Sequence, residues 1–382
     1  MLEKHIVQSS LDWQTFTAGS GVKANRKSED IAVISTSNAS VLGGMFGLEL
    51  FESNISLKAK QLPLFLSGRQ RLLATARSAV KLLVRALRPA TVWLPSYICG
   101  VVIDAARETD VRIRFYAVGD SLKIADNHWL AEIQDGDLVI FADYFGFNTW
   151  SSHGIEARAR GARVVEDACQ AMLNRDFSPH SDYIIFSPRK FIGVPDGGIL
   201  LAEKNTELPD ADFPAPPAQW LLQATRASIL RAEFDRYGGE RSWFKMFQST
   251  EAHGPMEPCR MSDLSAAILR IVDWATIKRR RRRNYEFLLS ELGELAIFPN
   301  LPRHVVPLGF PIRVRNRDRV RRALFNERIY PAVHWEIIDL VPAEFLSSHR
   351  LASEIMTLPS DQRYGRDDMK RMVGKLKRYI SQ

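Results

Sequence analysis

Lys190 is the residue best placed to do chemistry in this chain, because of what surrounds it. It stands in Phe186-Ser187-Pro188-Arg189-Lys190, and Asp196-Gly197-Gly198 follows a short stretch later. Upstream, Asp167 ends the apolar run Val164-Val165 in the segment Val-Val-Glu-Asp-Ala-Cys-Gln. A lysine amine condenses with an aldehyde and leaves a Schiff base open to attack by an amino substrate. A carboxylate beside a pyridine nitrogen keeps the ring protonated, so that it withdraws electrons. A strand-end acid, then a serine and a lysine at the end of another strand, then a glycine pair, is the layout of a pyridoxal phosphate site. Each part alone has a plainer meaning. A strand-end lysine is ordinarily solvated surface, an aspartate after a strand a turn or cap, and a glycine pair a turn or a close backbone approach. Their order points to the cofactor.

These residues need elements to position them. Val80, Leu83, Val84 and Leu87 fall on one helical face of Ser78–Leu87. Thr91–Leu94 reads as a strand stopped by Pro95-Ser96, Ile98–Ala106 as a helix and Val111–Val118 as an alternating strand. Leu138–Phe141, Val164-Val165, Tyr183–Phe186 and Gly198–Leu201 read as further strands, and Gly154–Arg160 as a helix. Such alternation predicts an α/β domain on a largely parallel sheet. Ligands of such sheets sit at the carboxyl ends of the strands, where Asp167 and Ser187 fall. Arg260–Leu292 reads as one long, bent helix stopped by Gly293. Strands at Leu308–Val314 and around Tyr330–His334 follow, then a final helix at Arg366–Ile380. In residues 1–60, Thr17–Ser28 reads as a loop and Ala32–Ser35 as a short strand, and no chemistry is visible.

Bulk properties narrow the class. A chain of 382 residues holds a large domain and a smaller one. With 25% charged and 46% hydrophobic residues it resembles an ordinary soluble globular protein. A formal net charge of +8 suits an anionic small-molecule substrate and does not require nucleic acid. The run Lys278–Arg283 continues the helical pattern of Leu264–Ile277. It reads as a solvated face with arginine stems wrapped onto neighbouring surface, and no RNA- or DNA-binding motif accompanies it. Cys99, Cys169 and Cys259 are far apart and form no CxxC pair, against a disulfide scaffold or a structural zinc site. Met1–His5 opens a polar stretch without a signal-peptide core. No apolar run approaches the ~18 residues of a membrane span. The expectation is a cytoplasmic protein with no metal, nucleic-acid or membrane partner.

Several segments resemble, in order, those of the DegT/StrS nucleotide-sugar aminotransferases. They are Thr75-Ala76-Arg77-Ser78-Ala79, Leu94-Pro95-Ser96-Tyr97-Ile98-Cys99, Val165-Glu166-Asp167-Ala168-Cys169-Gln170 and Phe186–Lys190 with Asp196-Gly197-Gly198. Arg260-Met261-Ser262-Asp263 with Ala266-Ala267, Tyr330–Trp335, and Leu358-Pro359 with Asp361-Gln362 continue the set, so the likeness spans roughly residues 65 to 380. It implies the fold type I of pyridoxal phosphate enzymes, a large domain with a mostly parallel seven-stranded sheet flanked by helices plus a smaller C-terminal α+β domain. The expected division is 1–60 as an N-terminal extension, 61–260 as the large cofactor-binding domain, and 261–382 as a linking helix and small domain.

The resemblance also implies roles. Lys190 would carry the cofactor as a Schiff base and then shuttle a proton as a general acid and base. Asp167 would pair with the pyridinium nitrogen, and Gln170 would sit near the ring oxygen or phosphate. The backbone amides of Ala76 and Arg77 would cradle the phosphate at a helix start, with the Ser187 hydroxyl as a further donor. Ser67-Gly68-Arg69 is a rival phosphate loop by motif alone. The distance from Thr75 to Pro95 favours 75–78 by likeness to the family. His334 matches a substrate-side histidine and also fits a structural role. Tyr144 lies at a strand end over the cofactor region and equally fits packing.

The sequence departs from the family at several points. Cys99 stands where an aromatic residue often stacks on the ring, so Tyr97 or another residue would cover it. Asp143 replaces a common histidine, the Ser187–Lys190 spacing is short, and Cys259 precedes Arg260 where Tyr or Asn is common. The implied protein is a pyridoxal phosphate-dependent aminotransferase with ping-pong chemistry. It would move an amino group from an amino acid, glutamate above all, to a keto group of a nucleotide-linked sugar, as in polysaccharide biosynthesis. It would be a homodimer with shared active sites. The alternatives are another reaction of the same cofactor and fold, a non-sugar substrate, and a catalytically silent binding or regulatory homologue.

Overall fold

The expected alternation of strands and helices closes into one central sheet. The structure, a computed structural model, describes residues 40–49, 63–174, 176–209 and 212–381. It begins with β1 (Leu42–Gly43), α1 (Leu64–Ser67), β2 (Gln70–Leu73), α2 (Ala76–Leu87), β3 (Thr91–Pro95), α3 (Gly100–Arg107) and β4 (Arg112–Tyr116). Next come β5 (Leu138–Ala142), α4 (Ser151–Ala159), β6 (Arg163–Asp167), β7 (Tyr183–Phe186), β8 (Gly198–Ala202), α5 (Ala218–Tyr237) and α6 (Ser242–Ala252). The chain ends with α7 (Asp263–Ile271), α8 (Trp274–Leu292), β9 (Phe310–Arg313), α9 (Arg317–Asn326), β10 (Ile329–Tyr330), α10 (Leu346–Glu354), β11 (Ile355–Leu358) and α11 (Arg366–Ile380). The readings at Met1–His5, Thr17–Ser28 and Ala32–Ser35 lie outside the described residues.

The seven-stranded sheet has the order β2-β8-β7-β6-β5-β3-β4. Pairs among β3, β4, β5, β6 and β7 are parallel, while β8 is antiparallel to both β7 and β2. Hence β2 runs the same way as β7. The carboxyl ends of β2, β3, β5, β6 and β7, and the start of β8, lie along one edge. All the motifs around Lys190 are on that edge. The strands β3, β5, β7 and β8 are buried throughout, as strands covered on both faces must be. Helix α2 buries Ala79, Val80, Leu83 and Val84, and Thr75 caps it by accepting from the Ser78 amide at 3.2 Å.

Three readings change. Arg260–Leu292 is not one helix but α7 and α8, broken at the extended residue Val272. Each part has its own cap: Ser262 accepts from the Ser265 amide and Asp273 from the Thr276 amide, both at 3.2 Å. The strand expected around Tyr330–His334 shrinks to Ile329–Tyr330, which pairs with β1. Beyond it Pro331 has no N–H to donate, and only Ala332 exchanges hydrogen bonds with Thr357, at 3.1 and 2.8 Å. The basic run on α8 is not all surface. Arg281 is fully buried. It donates to Gln362 Oε1 (2.8 Å), the Leu308 carbonyl (2.9 Å) and the Phe191 carbonyl (3.3 Å), while Arg282 donates to the Pro302 carbonyl at 2.7 Å.

Beyond α8, β9 and β11 form a two-stranded antiparallel sheet. Helix α11 buries Met369, Met372, Val373 and Leu376. No described helix is long and apolar enough to cross a membrane.

Candidate active site

The site grows from the strand ends. Asp167 closes β6 opposite Ala142 of β5 and Ile185 of β7. Its Oδ1 accepts from the Cys169 amide at 3.0 Å, and its carbonyl accepts from the Asp143 amide at 3.1 Å. Past β7, Ser187 leads into the single turn Pro188–Lys190, closed by the Lys190 amide on the Ser187 carbonyl at 3.2 Å. Both Lys190 and Asp167 are half-buried. Gln170 accepts from the Phe145 amide through Oε1 at 2.7 Å, and its Nε2 is buried with no acceptor.

The start of α2 meets the glycine pair that follows Lys190. The amides of Ala76 and Arg77 open α2, where no intrahelical carbonyl reaches them. Gly198 packs against the same turn, so closely that a Cβ there would stand 2.2 Å from the Thr75 carbonyl carbon and 2.4 Å from the Ala76 nitrogen. Gly197 donates to the Ala74 carbonyl at 2.7 Å with φ at +150°. The glycine pair is thus what lets β8 and the start of α2 meet. Asp196 serves the frame instead: it accepts from the Ser262 amide at 2.7 Å and from the hydroxyls of Ser262 and Ser265. That latch ties the Arg260-Met261-Ser262-Asp263 segment to the site.

His334 comes from the far end of the chain. Its ring meets Phe145 edge-on with centroids 5.5 Å apart, and Nδ1 lies 3.0 Å from Thr357 Oγ1. Desolvation, and then the positive charge of Lys190, push its pKa down to about 3, so the ring is neutral near pH 7. Tyr144 is buried, and its hydroxyl donates to the Tyr97 carbonyl at 2.6 Å. Tyr97, Tyr144 and Trp335 form an aromatic cluster with centroids 5.5 to 6.4 Å apart. Burial raises the Cys99 thiol although Lys190 opposes the shift, and it raises the Cys169 thiol further, with the Asp167 charge adding to the effect. Both sulfurs stay protonated. The charges of Lys190 and Asp167 both act on Cys99 and Cys169, and that of Lys190 acts on His334.

Two features were not legible from the sequence. Arg189, beside Lys190, forms a two-pronged ion pair with Glu251 of α6, and the Arg77 guanidinium donates to the Glu251 carbonyl at 3.2 Å. Asp143 and Glu166 are a contacting pair of buried carboxyls. Asp143 accepts from Trp150 Nε1 at 2.8 Å, and Glu166 from the Ser178 amide (3.0 Å) and the Ser181 hydroxyl (2.7 Å). Burial lifts Asp143 to about 6 and Glu166 well above the carboxylate range, so the pair keeps a proton. Among the described residues no group of three His, Cys, Asp or Glu side chains could hold a metal ion.

Solved structures share this architecture. The aminotransferase TlmJ from Streptoalloteichus hindustanus is 18% identical, with a TM-score of 0.60 over 82% of this chain and 86% of that one. DesV from S. venezuelae is 18% identical, with a TM-score of 0.61 over 91% and 92%. The chain has the fold of these enzymes. Spr1654 from Streptococcus pneumoniae, a putative sugar aminotransferase solved in a PLP form, is 14% identical with a TM-score of 0.62 over 87% and 94%. No protein-family model matches the sequence, and a search of curated proteins found no match.

Proposed function

We propose that this chain is a pyridoxal phosphate-dependent aminotransferase. One observation carries the reading: Lys190, Asp167, the unpartnered Gln170 amide and the amide-lined start of α2 lie on the same sheet edge. An amine, a carboxylate, a spare donor and an anion cradle are the donor set a phosphorylated pyridine aldehyde requires. When bound, pyridoxal phosphate supplies an electron sink for the substrate carbon.

The residues then divide the work. Lys190 would hold the cofactor and would move the proton to and from the substrate carbon, which requires its neutral amine. Asp167, its Oδ1 steadied by the Cys169 amide, would hold the pyridinium nitrogen. Gln170 offers Nε2 to the ring oxygen or phosphate. Ala76, Arg77 and Ser187 hold the phosphate with two amides and a hydroxyl. Cys99 lies against this region as a protonated thiol. His334, held neutral, is a hydrogen-bonding group toward substrate rather than a cation. Tyr144 shapes the pocket wall through its bond to the Tyr97 carbonyl.

The substrates in this reading are an amino-acid donor, glutamate above all, and a keto group on a nucleotide-linked sugar, taken in turn. CalS13 from Micromonospora echinospora, named a sugar aminotransferase, and Spr1654 support a sugar as the acceptor. The division into a large domain over 61–260 and a small one over 261–382, a cytoplasmic homodimer with shared sites, and a place in polysaccharide biosynthesis belong to the same proposal. Absorbance tests it, on purified protein given pyridoxal phosphate, beside Lys190→Ala, before and after glutamate. A visible band that needs Lys190 and bleaches with glutamate is expected. A band indifferent to every amino donor would replace transamination by another reaction, and no Lys190-dependent band would end the enzyme reading.

A further inference from the structure

The pair Arg189–Glu251 joins the turn that carries Lys190 to α6. Both guanidinium nitrogens of Arg189 reach the Glu251 carboxylate, the second at 3.2 Å, in the fork geometry that arginine uses for planar oxyanions. The side chains are 22% and 35% exposed, so a dissolved anion has access to the pair. Arg189 Nε is buried with no acceptor. The Arg77 guanidinium has only weak partners there, the Glu251 carbonyl at 3.2 Å and Met256 Sδ at 3.8 Å. The positive charges of Arg189, Arg77 and Lys190 all bear upon the Glu251 carboxylate. It stands at the last turn of α6, just before Gly254, which lies over the Arg77 guanidinium.

We propose that Arg189 and Arg77 form a binding position for a substrate oxyanion, with Glu251 as its displaceable counter-ion. An incoming oxyanion takes the Arg189 fork and the underused donors of Arg77, and Glu251 turns into solvent at the end of α6. The bound group is then held by the residue that immediately precedes Lys190. These are side-chain donors, separate from the α2 amides assigned to the cofactor. The oxyanion belongs either to the carboxylate of the amino donor or to a phosphoryl group of the acceptor. The inference rests on the proposed function only in taking the molecule bound beside Lys190 to be a substrate.

Calorimetric titration of the cofactor-loaded full chain with glutarate, and separately with inorganic pyrophosphate, tests this in wild type, Arg189→Lys and Glu251→Gln. Arg189→Lys keeps the charge and loses the fork. It should weaken one probe about tenfold, the equivalent of about 1.4 kcal/mol, while Glu251→Gln tightens the same probe. A loss confined to glutarate assigns the donor carboxylate, and one confined to pyrophosphate assigns the acceptor. Unchanged affinities in Arg189→Lys, weaker binding in Glu251→Gln, or an effect on pyridoxal phosphate affinity alone would each overturn the proposal. Wild type that lacks a Lys190-dependent absorbance band would undo the aminotransferase reading, while the same titrations on the cofactor-free chain would still report the anion position.

Discussion

Replacing Arg281 by methionine should destabilise the protein by about 4 kcal/mol and loosen the segment that carries Lys190. Methionine keeps the length and apolar stem, so α8 retains its packing. What disappears is a guanidinium with no exposure, which donates to Gln362 Oε1 at 2.8 Å and to the Leu308 carbonyl at 2.9 Å. The Phe191 carbonyl also loses its 3.3 Å contact but keeps Gln362 Nε2 at 2.6 Å. Three acceptors are therefore orphaned in the interior, Gln362 Oε1, the Leu308 carbonyl and the Pro307 carbonyl at 3.3 Å, at about 1–3 kcal/mol each. Desolvation pulls the Arg281 pKa down to about 10, so the group is still charged at pH 7. Its removal relieves some of that desolvation. Asp361 keeps Arg363 at 2.9 Å, so no carboxylate is stranded. Urea unfolding followed by both tryptophan fluorescence and far-UV circular dichroism measures the loss, and coincident curves license the two-state treatment. Arg281→Lys, which can serve fewer of these acceptors, should fall between the two. A loss below about 1 kcal/mol in Arg281→Met would refute the reasoning, since it would mean that the acceptors find water or that the guanidinium was never a strut.

Gly198→Ala should reduce cofactor affinity and stability together, because backbone atoms of Thr75 and Ala76 stand within 2.4 Å of the new Cβ; an unaltered pyridoxal phosphate titration would contradict this. Asp143 binds its proton more tightly folded than unfolded, so its contribution to stability is present below about pH 4 and lost as pH rises through about 6. Asp143→Asn should flatten the urea-midpoint profile between those values, and an unchanged slope would clear Asp143 of the effect. His334, pushed down to about 3, should show no imidazole titration by NMR from pH 8 to pH 5. Its proton-binding deficit makes acid destabilise the fold below the ordinary histidine range near 6.5. A midpoint near 6.5 would mean that the ring is solvated.

Much of the architecture was legible because it is written locally. Val80, Leu83, Val84 and Leu87 repeat at helical spacing, Tyr183–Phe186 is a short apolar run, and Thr75 precedes a helix as a cap. The break between α7 and α8 was legible in principle, since Asp273 is followed by Thr276 in cap spacing, but the helical pattern continues across it. Helices α5 and α6 escaped notice because neither shows a clean apolar stripe: α5 buries Arg231 and Ser228 alongside Trp220 and Phe234, and α6 buries only Trp243 and Thr250. Missing α6 meant missing Glu251.

The sequence alone determined the kinds of chemistry on offer: a lysine after an apolar strand, an acid at the end of another, a glycine pair, and a capped helix start. Each depends on neighbours a few residues away, and local periodicity and turn chemistry report those. Tertiary structure decided which groups meet. The strand order β2-β8-β7-β6-β5-β3-β4 brings Thr75, Asp143, Asp167 and Lys190 to one edge, although they are scattered along the chain. It also set Glu251 against Arg189 and drew Arg281 inside, where a charge survives only because carbonyls from distant loops converge on it. Such pairings depend on how crossovers bring remote segments together, and no local pattern encodes that.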